Sequence, residues 1–136
     1  MPGDPKASAP PTILVVDDDP DFLRSLELIL QIDGFAVTTA ENGVRGLQAF
    51  RNRSPDIVLI DVMMPKLDGF EAVRQMRRER PGAKIVVMSG STRPDTVDLP
   101  TAARELGAAA FLEKPFEPAV LRSVLREVLQ QETANS

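Results

Sequence analysis

Five short runs of aliphatic and β-branched residues, each followed by a segment with helical periodicity, leave this chain very few architectures. Ile13-Leu14-Val15-Val16 and Ile57-Val58-Leu59-Ile60 are unbroken apolar runs, the pattern of strands covered on both faces. Phe35 to Thr39, Lys84 to Met88 and Ala109 to Leu112 complete the set. After the first run, Phe22, Leu23, Leu26, Ile29 and Leu30 recur at helical spacing. Asp19 and Pro20 supply an N-cap and a first-turn proline, and Gly34 a stop. Further helices are expected over Asn42–Arg53, where Gly43 and Gly46 weaken the propensity, over Asp68–Arg80, stopped by Pro81-Gly82, and over Pro118–Gln130. Between strands four and five the pattern is broken by Pro94. A helix is expected only from Pro100 to Leu106, with Gly107 as its C-cap. Strand–helix alternation of this kind implies an α/β fold, a parallel sheet wound on both faces through right-handed crossovers.

Ligands of such sheets bind beyond the carboxyl ends of the strands, where the strand order reverses. Strand one ends in Asp17-Asp18-Asp19, strand three in Asp61, strand four in Ser89, and strand five runs into Lys114-Pro115. Helix and sheet packing require none of these polar residues. If strands one and three are neighbours, Asp17, Asp18 and Asp61 converge, and clustered carboxylates repel one another unless a cation neutralises them. A hard divalent ion with oxygen ligands does so, and Mg²⁺ suits a site with few protein ligands. A carboxylate nucleophile, a metal, an amine and a hydroxyl together suit phosphoryl transfer, where positioning and charge neutralisation carry most of the catalysis. Asp19 reads as a helix cap rather than a ligand. The chain has no His and no Cys, which excludes imidazole acid–base chemistry, thiolate metal sites and disulfides.

At these residues the chain resembles the receiver domain of two-component response regulators, over about residues 12–131. The resemblance is carried by Ile13-Leu14-Val15-Val16-Asp17-Asp18, Asp61-Val62-Met63-Met64-Pro65-Lys66-Leu67-Asp68-Gly69, Met88-Ser89-Gly90 and Lys114-Pro115-Phe116, in that order. It implies a flavodoxin-like (βα)5 sheet of order 2-1-3-4-5. It implies Asp61 as phosphate acceptor, and Mg²⁺ (or Mn²⁺) held by Asp17, Asp18, Asp61 and the backbone carbonyl of Met63. It implies Ser89 and Lys114 as partners of the phosphoryl group, Ser89 and Phe111 as switch residues, and a cis peptide bond at Lys114-Pro115. Asp68-Gly69 reads as turn and cap chemistry. The stretch from Ser89 to Lys114 departs from the family in being slightly long.

The implied function is a phosphorylation switch rather than a turnover enzyme. A histidine kinase or phosphotransfer protein donates the phosphoryl group, and an output protein reads the face built from the fourth helix, strand five and the fifth helix. No output domain is expected within the chain. An aspartyl phosphatase would more often carry a second Asp where Met63 stands, and a phosphorylation-independent binding module would not need the acidic, Ser and Lys set. Net charge is −4, which offers no basic footprint for nucleic acid. The run Arg74, Arg77, Arg78 and Arg80 reads as a solvated helix face. No stretch is apolar enough to span a bilayer or to serve as a signal core, so the expected location is the cytoplasm. Residues 1–11, with Pro2, Pro5, Pro10 and Pro11, and residues 132–136 are expected to be flexible tails.

Overall fold

A computed structural model describes residues 9–63, 68–90 and 99–134. Residues 1–8 of the first expected tail, 135–136 of the second, the 64–67 portion of the third-strand motif and the proline-broken stretch 91–98 lie outside the described residues, whereas 132–134, expected as tail, continue the last helix. Strands β1 (Thr12–Val16), β2 (Ala36–Ala40), β3 (Ile57–Asp61), β4 (Ile85–Ser89) and β5 (Ala110–Glu113) alternate with helices α1 (Pro20–Ile32), α2 (Gly43–Arg53), α3 (Asp68–Glu79), α4 (Leu99–Glu105) and α5 (Pro118–Ala134). All strand pairs are parallel and the sheet order is β2-β1-β3-β4-β5. The order reverses at β1, so the carboxyl ends of β1 and β3 lie side by side.

Alternate residues of the central strands feed two separate cores. On one face Leu14, Val16, Val58, Ile60, Ile85 and Val87 pack with Phe50, Val73 and Met76 of α2 and α3. On the other, Ile13, Val15, Ile57, Leu59, Val86 and Met88 pack with Leu23, Leu26 and Leu30 of α1 and Leu121, Leu125 and Val128 of α5. Burial of each such side chain contributes about 1.5–3 kcal/mol, so the strands are fixed in register from both sides. Among the described residues no helix is long and apolar enough to cross a membrane.

Local signals explain where the helices begin and end. Asp19 caps α1, its carboxylate accepting from the amides of Asp21 and Phe22. Gly34 and Gly107 adopt φ of +98° and +93° after α1 and α4, a region that favours glycine. Gly46 lets α2 lie directly on β1, since a Cβ there would stand 3.0 Å from a Val16 methyl.

The arginine run is not simply a solvated face. Arg74 pairs with Glu71 on the surface. The Arg77 guanidinium instead donates to the carbonyls of Pro81 and Ala83 and lies against Gly107, where a Cβ would meet its Nε at 2.6 Å. Arg80 stacks over the Phe50 ring at 4.2 Å and donates to the Phe50 carbonyl. Arginine's planar, multiply donating head suits such bridging, which a charge count does not reveal.

Candidate functional site

The backbone ladder continues past the strand ends and fixes the polar residues there. The Asp17 amide donates to the Ala40 carbonyl at 3.1 Å, Val62 to Met88 at 3.0 Å and Lys114 to Ser89 at 2.8 Å. Strands one, three, four and five thereby deliver Asp17, Asp61, Ser89 and Lys114 to one edge of the sheet.

Gly69, at the start of α3, sits against the end of β3. A Cβ on it would lie 2.5 Å from Val62 Cα and 2.6 Å from the Asp61 carbonyl oxygen. Both are backbone atoms that cannot rotate aside. Gly69→Ala is therefore expected to lose about 1–3 kcal/mol of stability through overpacking, with a shift of the Asp61 segment. Urea denaturation checks it, and wild-type stability would mean that α3 approaches less closely.

Asp17 and Ser89 are fully buried and Asp61 nearly so, whereas Asp18 is exposed. Carboxylate oxygens of Asp17, Asp18 and Asp61 lie within 4.8 Å of one another, a spacing that one cation can bridge. The Lys114 ammonium donates to Asp17 Oδ2 at 2.6 Å and to Asp61 Oδ2 at 2.8 Å. The remaining oxygens of these two carboxylates are also bonded. Asp17 Oδ1 accepts from the Asp19 amide at 2.9 Å, and Asp61 Oδ1 from the Met63 amide at 2.7 Å.

Burial lifts the Asp17 carboxyl above its usual range, although hydrogen bonds from Lys114 and the Asp19 amide lower it. Burial pulls Lys114 down, but its bonds to Asp17 and Asp61 outweigh that and leave its pKa raised. The ammonium is thus charged at neutral pH. Its raised value means that its contribution to stability is complete below the unfolded pKa and is lost as pH rises through the folded one.

Ser89 Oγ is buried and has no hydrogen-bond partner among the described residues. Its hydroxyl can still donate to a group arriving at the strand ends, and an unsatisfied buried hydroxyl costs about 1–3 kcal/mol. The donor chemistry therefore fits a divalent cation on the three carboxylates and an anionic group between Lys114 and Ser89. Asp19 lies outside this cluster and serves as a cap. The Met63 side chain is exposed, and only its amide is seen to bind Asp61. Phe111 is half-buried against the α2–α3 core and lines a cleft of about 230 Å³ with Pro100, Ala103 and Arg104. The Lys114-Pro115 peptide is cis.

Two neighbours of the site were read from the sequence only as an inward helix position and as part of a motif. The Lys114 ammonium lies over the Phe22 ring, 4.0 Å from its centroid. Phe22 in turn meets Phe116 edge to face, with centroids 6.1 Å apart and planes at 82°. The available signal was positional: Phe22 follows the Asp19 cap by three residues and Phe116 follows Lys114 by two.

Residues 13–126 match the family model described as the response regulator receiver domain. The transcriptional regulatory protein CseB of Streptomyces avermitilis is 41% identical over 119 residues, which are 88% of this chain and 49% of the relative. The response regulator MprA of Mycobacterium sp. (strain KMS) is 39% identical over 122 residues, 90% of this chain and 52% of the relative. The chain thus spans about half the length of these relatives. A crystal structure of a CheY-like response regulator receiver domain protein from Methanospirillum hungatei JF-1 superposes with a TM-score of 0.86. It is 27% identical and covers 94% of this chain and 100% of its own.

Proposed function

The chain belongs to the response regulator receiver domain family of two-component systems, and we propose that it works as a phosphorylation switch whose acceptor is Asp61. The single observation that carries this is the surrounding of Asp61. A nearly buried carboxylate is held by a lysine and flanked by two further carboxylates, and at the end of the next strand the buried Ser89 hydroxyl has no partner among the described residues.

The phosphoryl donor is a phosphohistidine on a histidine kinase or phosphotransfer protein. An Asp61 carboxylate oxygen attacks phosphorus in line, the O–P bond forms as the N–P bond breaks, and the departing imidazole takes up a proton. Lys114, already on Asp61, offers its ammonium to the phosphoryl oxygens, and the Ser89 hydroxyl donates to another of them. Asp17, Asp18, Asp61 and the Met63 carbonyl would hold Mg²⁺ (or Mn²⁺), which supplies charge neutralisation during the transfer. Hydrolysis of the acyl phosphate resets the switch, so the catalysis is confined to the chain's own carboxylate. Movement of Ser89 toward the phosphoryl group and of Phe111 into its neighbouring cleft would alter the surface of α4, β5 and α5, where an output protein binds. The setting implied is the cytoplasm. Relatives twice as long leave room for output through a further domain of the same polypeptide.

Incubation with Mg²⁺ and phosphoramidate should add one phosphoryl group, detected by intact mass and removed by hydroxylamine, as an acyl phosphate is. No adduct, or steady hydrolysis of phosphate esters, would overturn the proposal.

A further inference from the structure

We propose that Phe22 is a positioning residue for Lys114, its ring face forming the third wall of the seat in which the ammonium meets Asp17 and Asp61. The inference rests on the phosphoacceptor role of Asp61 and adds a residue to it.

A lysine ammonium is a compact charge on a flexible four-carbon stem, and something must hold it on one spot. Two of its three donors are directed at Asp17 Oδ2 and Asp61 Oδ2. The Phe22 ring lies beneath the same nitrogen at 4.0 Å. The negative face of an aromatic ring attracts a cation, more strongly where water is scarce, and the Lys114 side chain is only 16% exposed.

The ring is itself fixed from two directions. Its backbone amide donates to Asp19 Oδ1, and the Asp19 amide donates to Asp17 Oδ1. The cap of α1 is therefore tied to the same carboxylate that binds Lys114. On the other side, Phe116 supports the ring edge to face. A leucine at position 22 would keep the contact with the α1–α5 core but present no π face. Core packing alone does not explain the residue, since Phe22 is only partly buried.

The test compares wild type, Phe22→Leu and Phe22→Tyr. Phosphorylation by phosphoramidate at saturating Mg²⁺ involves no partner protein, so any docking role of position 22 does not enter. Phe22→Leu should slow phosphoryl uptake roughly three- to tenfold, a size between that of an exposed and a fully desolvated cation–π contact, and Phe22→Tyr should remain within about twofold of wild type. Independently, the Lys114 ε-methylene protons of the metal-free protein should be shifted upfield by the ring current in wild type and Phe22→Tyr, and return to the ordinary lysine position in Phe22→Leu.

Equal rates in wild type and Phe22→Leu would overturn the proposal, as would an unshifted Lys114 resonance in wild type. Should Phe22→Leu fail to fold, the wild-type and Phe22→Tyr resonances decide it. Should wild type itself take up no phosphoryl group, the acceptor role of Asp61 falls, while the Lys114 resonance still decides whether Phe22 seats the amine.

Discussion

Asp61→Asn protein is expected to take up no phosphoryl group while remaining folded. The amide removes the charged nucleophile and one of the three carboxylates that can share a cation. It does not strand Lys114, whose ammonium keeps its 2.6 Å bond to Asp17. In the metal-free wild type, three carboxylates cluster and the lysine bonds two of them, Asp17 and Asp61. Replacing one with a neutral group of the same shape relieves repulsion, so stability should hold or rise by about 1 kcal/mol. Intact mass after treatment with phosphoramidate reads the first half and urea denaturation without metal reads the second. A persistent adduct would move the acceptor elsewhere. A large loss of stability would mean that the charge balance is not the one described.

Lys114→Ala should have the opposite signature. Asp17 and Asp61, with side chains 1% and 7% exposed, would then be left without their cation. Removing one partner of a buried ion pair costs about 3–5 kcal/mol, and the lower end applies because Asp18 is exposed and water can reach the site. The loss should depend on pH. Burial already raises the Asp17 carboxyl, and removing the lysine that lowers it raises it further. A carboxyl whose folded pKa lies above its unfolded value binds more protons in the folded state, so its stability contribution falls as pH rises through that range. The deficit is therefore largest at neutral pH and shrinks in mild acid. Mg²⁺ should restore much of it, because binding to the folded state alone adds stability. Denaturation midpoints at neutral and mildly acidic pH, with and without Mg²⁺, provide the check. A deficit indifferent to Mg²⁺ would remove the cation from the carboxylate cluster.

The fold was legible because alternating apolar runs and helical stripes admit few solutions. Where element ends differ, the physics is local. The fourth and fifth strands run to Ser89 and Glu113, one residue beyond the apolar runs, because the parallel ladder pairs backbone groups whatever the side chain. Ser89 is in register with Glu113, and Asp61 with Met88. Hydropathy marks where the core stops, and the ladder stops later. The second strand begins at Ala36 instead of Phe35, whose ring packs on the α1–α5 core from outside the ladder. Helix α4 starts at Leu99, one residue before Pro100, the start that the sequence predicts. Within the site, the charged residues declared themselves by standing where packing needs no charge. Phe22 did not, since an apolar residue at a helix position inside its stripe looks like core whether or not a cation rests on it. Arg77 and Arg80 were misjudged for the converse reason: a long side chain reaches buried carbonyls from a position that counts as surface.

The contact between Arg77 and Gly107 has a mechanical meaning. The turn after α4 is closed by bonds from Gly107 N to the Arg104 carbonyl and from Ala108 N to the Ala103 carbonyl. Across it lies a guanidinium anchored to the last turn of α3 and the approach to β4. A rod clamped at one end answers a push by swinging about the clamp. Helix α4 is about 10 Å long at 1.5 Å per residue, so a tilt of about 20° would carry its amino end roughly 3.5 Å while Gly107 stays in place. A displacement reaching α4 would therefore be largest at its Leu99 end and smallest at the Gly107 turn that the Arg77 guanidinium backs.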